Sequence, residues 1–440
     1  MSITREFTRR RVTAVVLLVA SVLLLWRCTA AFDGTDDVGA VDVFGPWLGD
    51  DAEAFTASLE EFTSSTGIEV HYTGTNDFDS DLRDRIAGGL GLPDIAMVPQ
   101  PSIAAELGPT GLLVPLSDAT IDAIVDNYPV TRDDVTSDGA AYLAPYRRNV
   151  KSLVWYRPDV FDEKGWEIPE TLDDLAELVE VVIDDADMAP WCFSIESGAA
   201  TGWPATDWIE DLVLRRGGPD AYDEWVAGDR PFTDEVIRNA FVEFDDLVLR
   251  SGHSAGGIQR VLSTPVSEAS RPLFDDEPGC AMYKQASFAT TWFPDGIAVG
   301  EPGGVDFFVL PGTDATGPPP LVLGGDSAIQ FTDRPDVERL MTYLVLPDGG
   351  AEWAERGGYL SGRDSVADDY YRGVDARFAR LLGDTSVARD DASDSFFSDV
   401  RDSFTAAVAE FVSETRYEGS VDLDTLLDEL PEQRPALDDS

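Results

Sequence analysis

Val41-Asp42-Val43-Phe44, then Asp51 to Thr66, then Ile68-Glu69-Val70-His71-Tyr72, then Asp94-Ile95-Ala96-Met97-Val98: this succession decides the fold class. The first four residues read as a short strand. Phe55, Leu59 and Phe62 are spaced for one face of a helix over 51–66, and Gly67 stops it. Ile68, Val70 and Tyr72 alternate as a half-buried strand does. Residues 79–88 predict a second helix, 94–98 a buried strand, and 102–108 a third helix. A β-α-β-α-β order predicts a parallel sheet with crossover helices.

Outward from there, a second block begins near Lys151. Ser152 to Tyr156 predicts a strand, and 171–184 a helix introduced by Pro169 and Thr171. Residues 207–216, 219–227 and 234–250 read as mostly helical. Gly/Pro-rich stretches at 296–305 and 311–320 mark loops or crossings. Helices are expected at 335–346, 350–356 and 397–413, followed by an acidic, Pro-containing, frayed tail. A chain of 440 residues exceeds one compact domain, so two or three units are expected. No internal repeat is visible.

Within the second block lies Gly202-Trp203-Pro204-Ala205-Thr206-Asp207-Trp208-Ile209-Glu210-Asp211. Two indoles and three carboxylates sit close together. Trp is costly to expose and carboxylates are costly to bury. One reading is a surface that binds a sugar, whose C–H face stacks on indole and whose hydroxyls donate to carboxylates. The other is an amphipathic helix start, with Trp in the core and solvated acids. Both stay open at this point.

The charge balance narrows the function classes. Acids outnumber bases 83 to 32, for a formal charge of −51. The lysines are Lys151, Lys164 and Lys284, so basic character is almost wholly arginine. An acidic coat suits high ionic strength, where salt screens self-repulsion, and it disfavours nucleic acid as a partner. At the N-terminus Arg5, Arg9, Arg10 and Arg11 precede an apolar run from Val12 to Trp26. That run is short for a bilayer span and right for a signal-peptide core. Cys28 follows, which predicts lipidation after cleavage, although Trp26 and Arg27 stand where small residues are expected. Residues 1–28 are therefore assigned to a signal or anchor region and 29–40 to a tether. Cleavage after Ala30 or Ala31 and an uncleaved anchor are the alternatives to lipidation at Cys28, and all three routes export the remainder. With Cys28 lipidated, Cys192 and Cys280 remain as a pair, and an exported protein is expected to join them. Two separate buried thiols are the alternative.

The ordered set of segments resembles the extracellular solute-binding proteins of sugar ABC importers, the maltose-binding-protein-like group, and within it the alpha-glucoside-binding members. The likeness runs from Phe62–Gly67 with Ile68-Glu69-Val70, through Leu92-Pro93-Asp94-Ile95-Ala96 and Gly111-Leu112-Leu113-Val114-Pro115-Leu116. It continues in Asn149-Val150-Lys151-Ser152-Leu153-Val154-Trp155-Tyr156 and in Pro190-Trp191-Cys192 leading into Gly202–Asp211. It ends in Gln285-Ala286-Ser287-Phe288, Gly324-Gly325-Asp326 and Gly357-Gly358-Tyr359-Leu360. It spans about residues 41–410. The resemblance implies an α/β, two-lobed periplasmic-binding-protein fold of type II, with hinge crossings. Lobe one would be 41–148 plus 305–365, and lobe two 152–300 plus 370–430. Such a receptor would be a monomer without cofactor or metal. It would close on a sugar, hand it unchanged to an ABC permease, and stay membrane-attached through its N-terminus.

In this fold the loops after strands face the cleft, which nominates contact residues. Trp47 follows the first strand, where a packed loop Trp competes with a cleft role. Asp77 follows the second strand and equally suits an N-cap of helix 79–88. Gln100 follows the buried strand. Asn149 lies at the first crossing, where hinge and contact roles compete. Glu196 sits in the loop that the resemblance makes ligand-facing. Trp203 is the expected stacking platform. Asp207 is expected to accept from hydroxyls, or else to cap a helix starting at Trp208. Phe288 and Trp292 are expected in a loop over the cleft, with core packing of one of them as the alternative. Asp326 follows two glycines, which would let backbone approach ligand. Gly358 and Tyr359 would close the cleft from the last crossing.

Two rival classes have weaker support. A glycoside hydrolase needs a carboxylate pair, but 83 acids supply pairs by chance. His71 and His253 have no metal-ligand spacing, and there is no nucleophile elbow, phosphate loop or CxxC. A receptor for a polyamine would use carboxylates with aromatics. One for a phosphate ester would use Arg147, Arg148 and Lys151.

Overall fold

The computed structural model describes residues 39–431 except 89–90, 138, 186–187, 302, 364–369, 385–386 and 415–421. The leader, Cys28, nearly all of the tether and the tail beyond 431 lie outside the described residues.

The expected alternation appears at once. Strand β1 (Val41–Gly45) leads to helices α1 (Gly49–Ser58) and α2 (Glu60–Thr66), β2 (Val70–Gly74), α3 (Phe78–Gly88), β3 (Ile95–Val98) and α4 (Ser102–Leu107). The single helix expected over 51–66 is interrupted at Leu59, and Gly67 ends the second piece with φ of 75°. Both β2 and β3 pair parallel with β1.

The remaining strands are β4 (Ala144–Val150), β5 (Leu153–Tyr156), β6 (Ala189–Trp191), β7 (Cys280–Lys284), β8 (Asp306–Val309), β9 (Leu321–Gln330) and β10 (Ala388–Asp390). They complete two sheets. The first has the order β10-β9-β3-β1-β2, with β4 also on β9; the second is β6-β7-β5-β8. Each sheet has helices packed on it, giving two lobes. Val43, Phe55, Ile95 and Met97 pack with Val337 and Leu340 in the first. Val154, Trp191, Trp208, Leu212, Phe241 and Phe404 pack in the second. In α5 (Leu172–Asp185) the fully buried Leu172, Leu175, Val179 and Val182 fall on one helical stripe, as the sequence pattern requires.

The two helices expected at 207–216 and 219–227 both form, and they run together in α6 (Trp203–Val226). It kinks where Gly218 takes φ of 77° and ψ of 175° ahead of Pro219. Cys192, just after β6, is bonded to Cys280 at the start of β7, with Cα atoms 5.4 Å apart.

Strand β9 is the spine that joins the lobes. Its residues 323–328 pair antiparallel with β4. On the opposite edge, 327–330 pair with β3 and 321–323 with β10. Because β3 is antiparallel and β10 parallel to β9, their C-terminal ends point at each other across Gly324–Asp326. This convergence of strand ends places a groove between the lobes.

Candidate functional site: the groove between the lobes

The glycines of Gly324-Gly325-Asp326 were expected to let backbone approach ligand. They lie inside β9, and they make room for the neighbouring strand. A methyl on Gly325 would sit 2.2 Å from the Arg147 carbonyl oxygen, and one on Gly324 would sit 2.6 Å from Cε of Lys151. Asp326 is buried opposite Arg147 in the β4–β9 register, and its Oδ2 accepts from Arg147 Nε at 2.8 Å. The guanidinium lies over the rings of Trp353 and Trp47, 4.7 and 5.3 Å from their centroids. Asp51 approaches it at 3.7 Å, and burial raises the Asp51 pKa against the pull of Arg147. Arg147 is thus matched by two carboxylates, which removes it as a free anchor for a phosphate ester.

A pocket of about 120 Å³ opens where β3 and β10 converge. Pro99 and Pro101 line it after β3, Asp326 from the spine, Arg147 from β4, and Asp391 and Asp394 after β10. Gln100 lies between the two prolines and is partly exposed.

A second feature is aromatic. Trp203 opens α6, and its ring lies 6.2 Å from Phe288, which lies 5.1 Å from Trp292. All three are partly exposed. By contrast Trp155, Trp191, Trp208, Trp225 and Trp353 are fully buried. Gly358 lies beside this group: a methyl there would be 3.5 Å from Thr291. The Gly358 N–H donates to Asp375 at 2.8 Å, and burial pushes that carboxyl up to about 6.

Of the other nominated residues, Trp47, Asn149 and Tyr359 are packed inside and Asp77 and Glu196 are not. Trp47 is 4% exposed among Phe55, Tyr72, Tyr146 and Trp353. Tyr359 is fully buried and donates to the Tyr146 carbonyl at 2.9 Å. Asn149 is buried in β4, paired with Gly324. Glu196 is partly exposed, and its side chain accepts from the Gly198 N–H at 3.1 Å. Asp77 is exposed just before α3, and a methyl on Gly198 would lie 3.6 Å from its carboxylate. The loops of Asp77 and Glu196 therefore face each other from opposite lobes.

The acids of Gly202–Asp211 satisfy neither of the two readings of that stretch. Asp207, Glu210 and Asp211 are buried inside α6, so Asp207 is no cap. Asp207 Oδ1 accepts from Lys151 Nζ at 3.2 Å. Glu210 accepts from the backbone N–H groups of Ala392 and Ser393. Asp211 pairs with Lys284 at 2.8 Å and Arg215 at 2.5 Å. Burial pushes Asp207 up to about 7 and Glu210 well above the carboxylate range. Asp207, Glu210 and Asp391 have the spacing of a cation site. The Lys151 ammonium, 2.5 Å from Asp391, supplies the cation there. Sequence reasoning missed this role because Lys151, Asp391 and Asp394 are far from α6 in the chain.

A groove at converging strand ends between two sheet-centred lobes, together with a cluster of partly exposed aromatics at the start of α6, is the architecture of a two-lobed solute receptor. The model of the bacterial extracellular solute-binding protein family matches residues 45–351, and the chain belongs to that family, the extracellular solute-binding components of ABC importers. The alpha-glucosides-binding periplasmic protein AglE of Rhizobium meliloti (strain 1021) is 37% identical over 342 residues, covering 75% of this chain and 73% of the relative. The osmoprotective compounds-binding protein GgtB of Synechocystis sp. (strain ATCC 27184 / PCC 6803 / Kazusa) is 35% identical over 384 residues, covering 86% and 90%. Among solved structures, the bacterial solute receptor AcbH, described as preferring β-D-galactopyranose, gives a TM-score of 0.72 at 18% identity, covering 89% of this chain and 97% of that one. A chitin oligosaccharide binding protein gives 0.73 at 17%, covering 89% and 96%. These two matches establish the maltose-binding-protein-like fold. No helix among the described residues is long and apolar enough to cross a membrane.

Proposed function

We propose that the chain binds an alpha-glucoside or a short oligosaccharide in the groove and delivers it unchanged to a permease. The observation that carries this reading is the Trp203–Phe288–Trp292 face. It offers partly exposed apolar rings to a sugar's C–H surface, and we assign it to the wall of the groove that also holds carboxylates. The alpha-glucoside ligand named for the relative at 37% identity supports the same class. Asp77, Gln100 and Glu196 are the polar contacts we favour, since each is at least partly exposed. The lobe built on β10-β9-β3-β1-β2 would move against the lobe built on β6-β7-β5-β8, hinged at β4 and β9. Asp306–Val309 pairs with β5 and so goes with the second lobe rather than with 305–365 in the first, and Ala388–Asp390 pairs with β9 and so goes with the first rather than with 370–430 in the second. Ligand that bridges both lobes only when they close drives the closure by its differential affinity. We assign the N-terminal segment to export and to anchoring through Cys28, and the receptor to a monomeric state.

A thermal-shift screen against glucosides, maltodextrins, trehalose and polyamines tests the ligand class. Binding raises Tm with the logarithm of ligand over Kd. An alpha-glucoside is expected to give the largest shift, and Trp203→Ala to abolish it while the apo Tm stays put. A shift with spermidine alone would move the assignment to a cationic ligand. Oligosaccharide recovered unchanged after prolonged incubation is expected; released glucose would make the chain a hydrolase.

A further inference from the structure

We propose that Lys151 is a positioning residue for the ligand-facing wall, a brace that sets Trp203 through the first turns of α6 and responds to protonation. This rests on the functional reading only in taking Trp203 as part of that wall. The argument starts from spacing. Trp203, Asp207, Asp211 and Arg215 are four residues apart along α6, so they form one row on the helix surface. The row leads from the partly exposed indole into a buried line of charge. Lys151 Nζ holds Asp207 at 3.2 Å, and Lys284 Nζ donates to the Asp207 carbonyl at 3.2 Å.

Lys151 follows β4 directly, and its own N–H donates to Val322 on the spine. The same ammonium reaches Asp391 at 2.5 Å and Asp394 at 3.3 Å, in the short helix Ala392–Ser395 and the residue before it. One cation thus ties the first crossing, the first turns of α6 and the segment after β10. Two of the three lysines in a chain with 32 basic residues serve this row. Three carboxylates converging from two elements suit the three donors of an ammonium and not a planar guanidinium fork.

The brace has fewer positive charges than negative ones. Lys151, Lys284 and Arg215 face Asp207, Glu210, Asp211, Asp391 and Asp394, with the Tyr222 phenol beside Glu210. Burial and neighbouring carboxylates push Asp394 up to about 7, while Lys151 and a hydrogen bond from Glu210 hold Asp391 at about 2 against burial. Protons therefore enter and leave the cage near neutrality.

The test uses full-length, ligand-free protein labelled with 5-fluorotryptophan, its Trp203 resonance assigned with Trp203→Phe. The Trp203 line is expected to titrate with a midpoint near neutrality, and Lys151→Met to abolish that movement while the Trp155 line stays in place. Should Lys151→Met fail to fold, Asp394→Asn is the second variant. It removes one negative charge from beside Asp207, so the midpoint should drop by at least half a pH unit. A Trp203 line that ignores pH in the wild type, a titration that survives Lys151→Met, or a midpoint unmoved by Asp394→Asn overturns the proposal. The readout needs no sugar, so failure to bind any glucoside would sink the functional reading and leave this one standing.

Discussion

Two adjacent glycines in β9 differ sharply in what they protect. The hydrogen of Gly325 faces the Arg147 backbone, and that of Gly324 faces the end of the Lys151 side chain. Backbone of a paired strand cannot retreat without breaking its register, whereas a lysine stem can swing aside. Gly325→Ala is therefore expected to lower stability by about 2–3 kcal/mol, in the range of overpacked sites. Gly324→Ala should cost clearly less stability, and its effect should fall on the Lys151 cage. Urea melts of the two variants separate these outcomes. Equal losses would mean that the β4–β9 approach is looser than its geometry indicates.

At the scale of elements, the disulfide joins the exit of β6 to the entrance of β7, and the Cys192 N–H also donates to Met282 at 2.8 Å. The bond closes a loop with a sequence separation of 88. The chain-entropy model assigns such a loop about 4–5 kcal/mol. Reduction, or Cys192→Ser with Cys280→Ser, should lower the apo Tm markedly. Because Cys192 begins the loop that carries Glu196 and leads to Trp203, sugar affinity should also weaken. A calorimetric scan with and without reductant measures the first effect. The pairing was legible from cysteine arithmetic in an exported chain. The β-α-β-α-β opening was legible as well, because its period switches cleanly between 2 and 3.6. The fate of Asp207, Glu210 and Asp211 was not. A carboxylate is expected at the surface unless its partner is known, and here the partners come from the chain around Lys151, Lys284 and Asp391. The Arg147 partner of Asp326 was hidden for a related reason: two glycines signal close approach, but local sequence does not say what approaches.

On the scale of the whole molecule, the chain carries −51, so self-repulsion opposes folding more strongly as pH rises. The buried cage acts in the same direction. Asp207 and Asp394 start from 3.8 when unfolded and are pushed up to about 7 when folded. Between those values the folded state holds protons that the unfolded chain has lost, so stability falls as pH rises from about 4 through 7. Asp375, pushed up to about 6, adds to this slope. Asp391, held at about 2, contributes the opposite slope only below 3.8, where it begins to protonate in the unfolded chain. The apo Tm is therefore expected to be higher at pH 5.5 than at pH 8, by a few degrees. Salt separates the two causes. Surface repulsion is screened within about 3 Å at 1 M, and a buried cage is not. The difference should shrink in 1 M NaCl without vanishing, and the remainder should diminish in Asp394→Asn. A Tm that climbs from pH 5.5 to 8, or a difference that salt removes entirely, would mean that the cage holds no proton in excess of the unfolded chain.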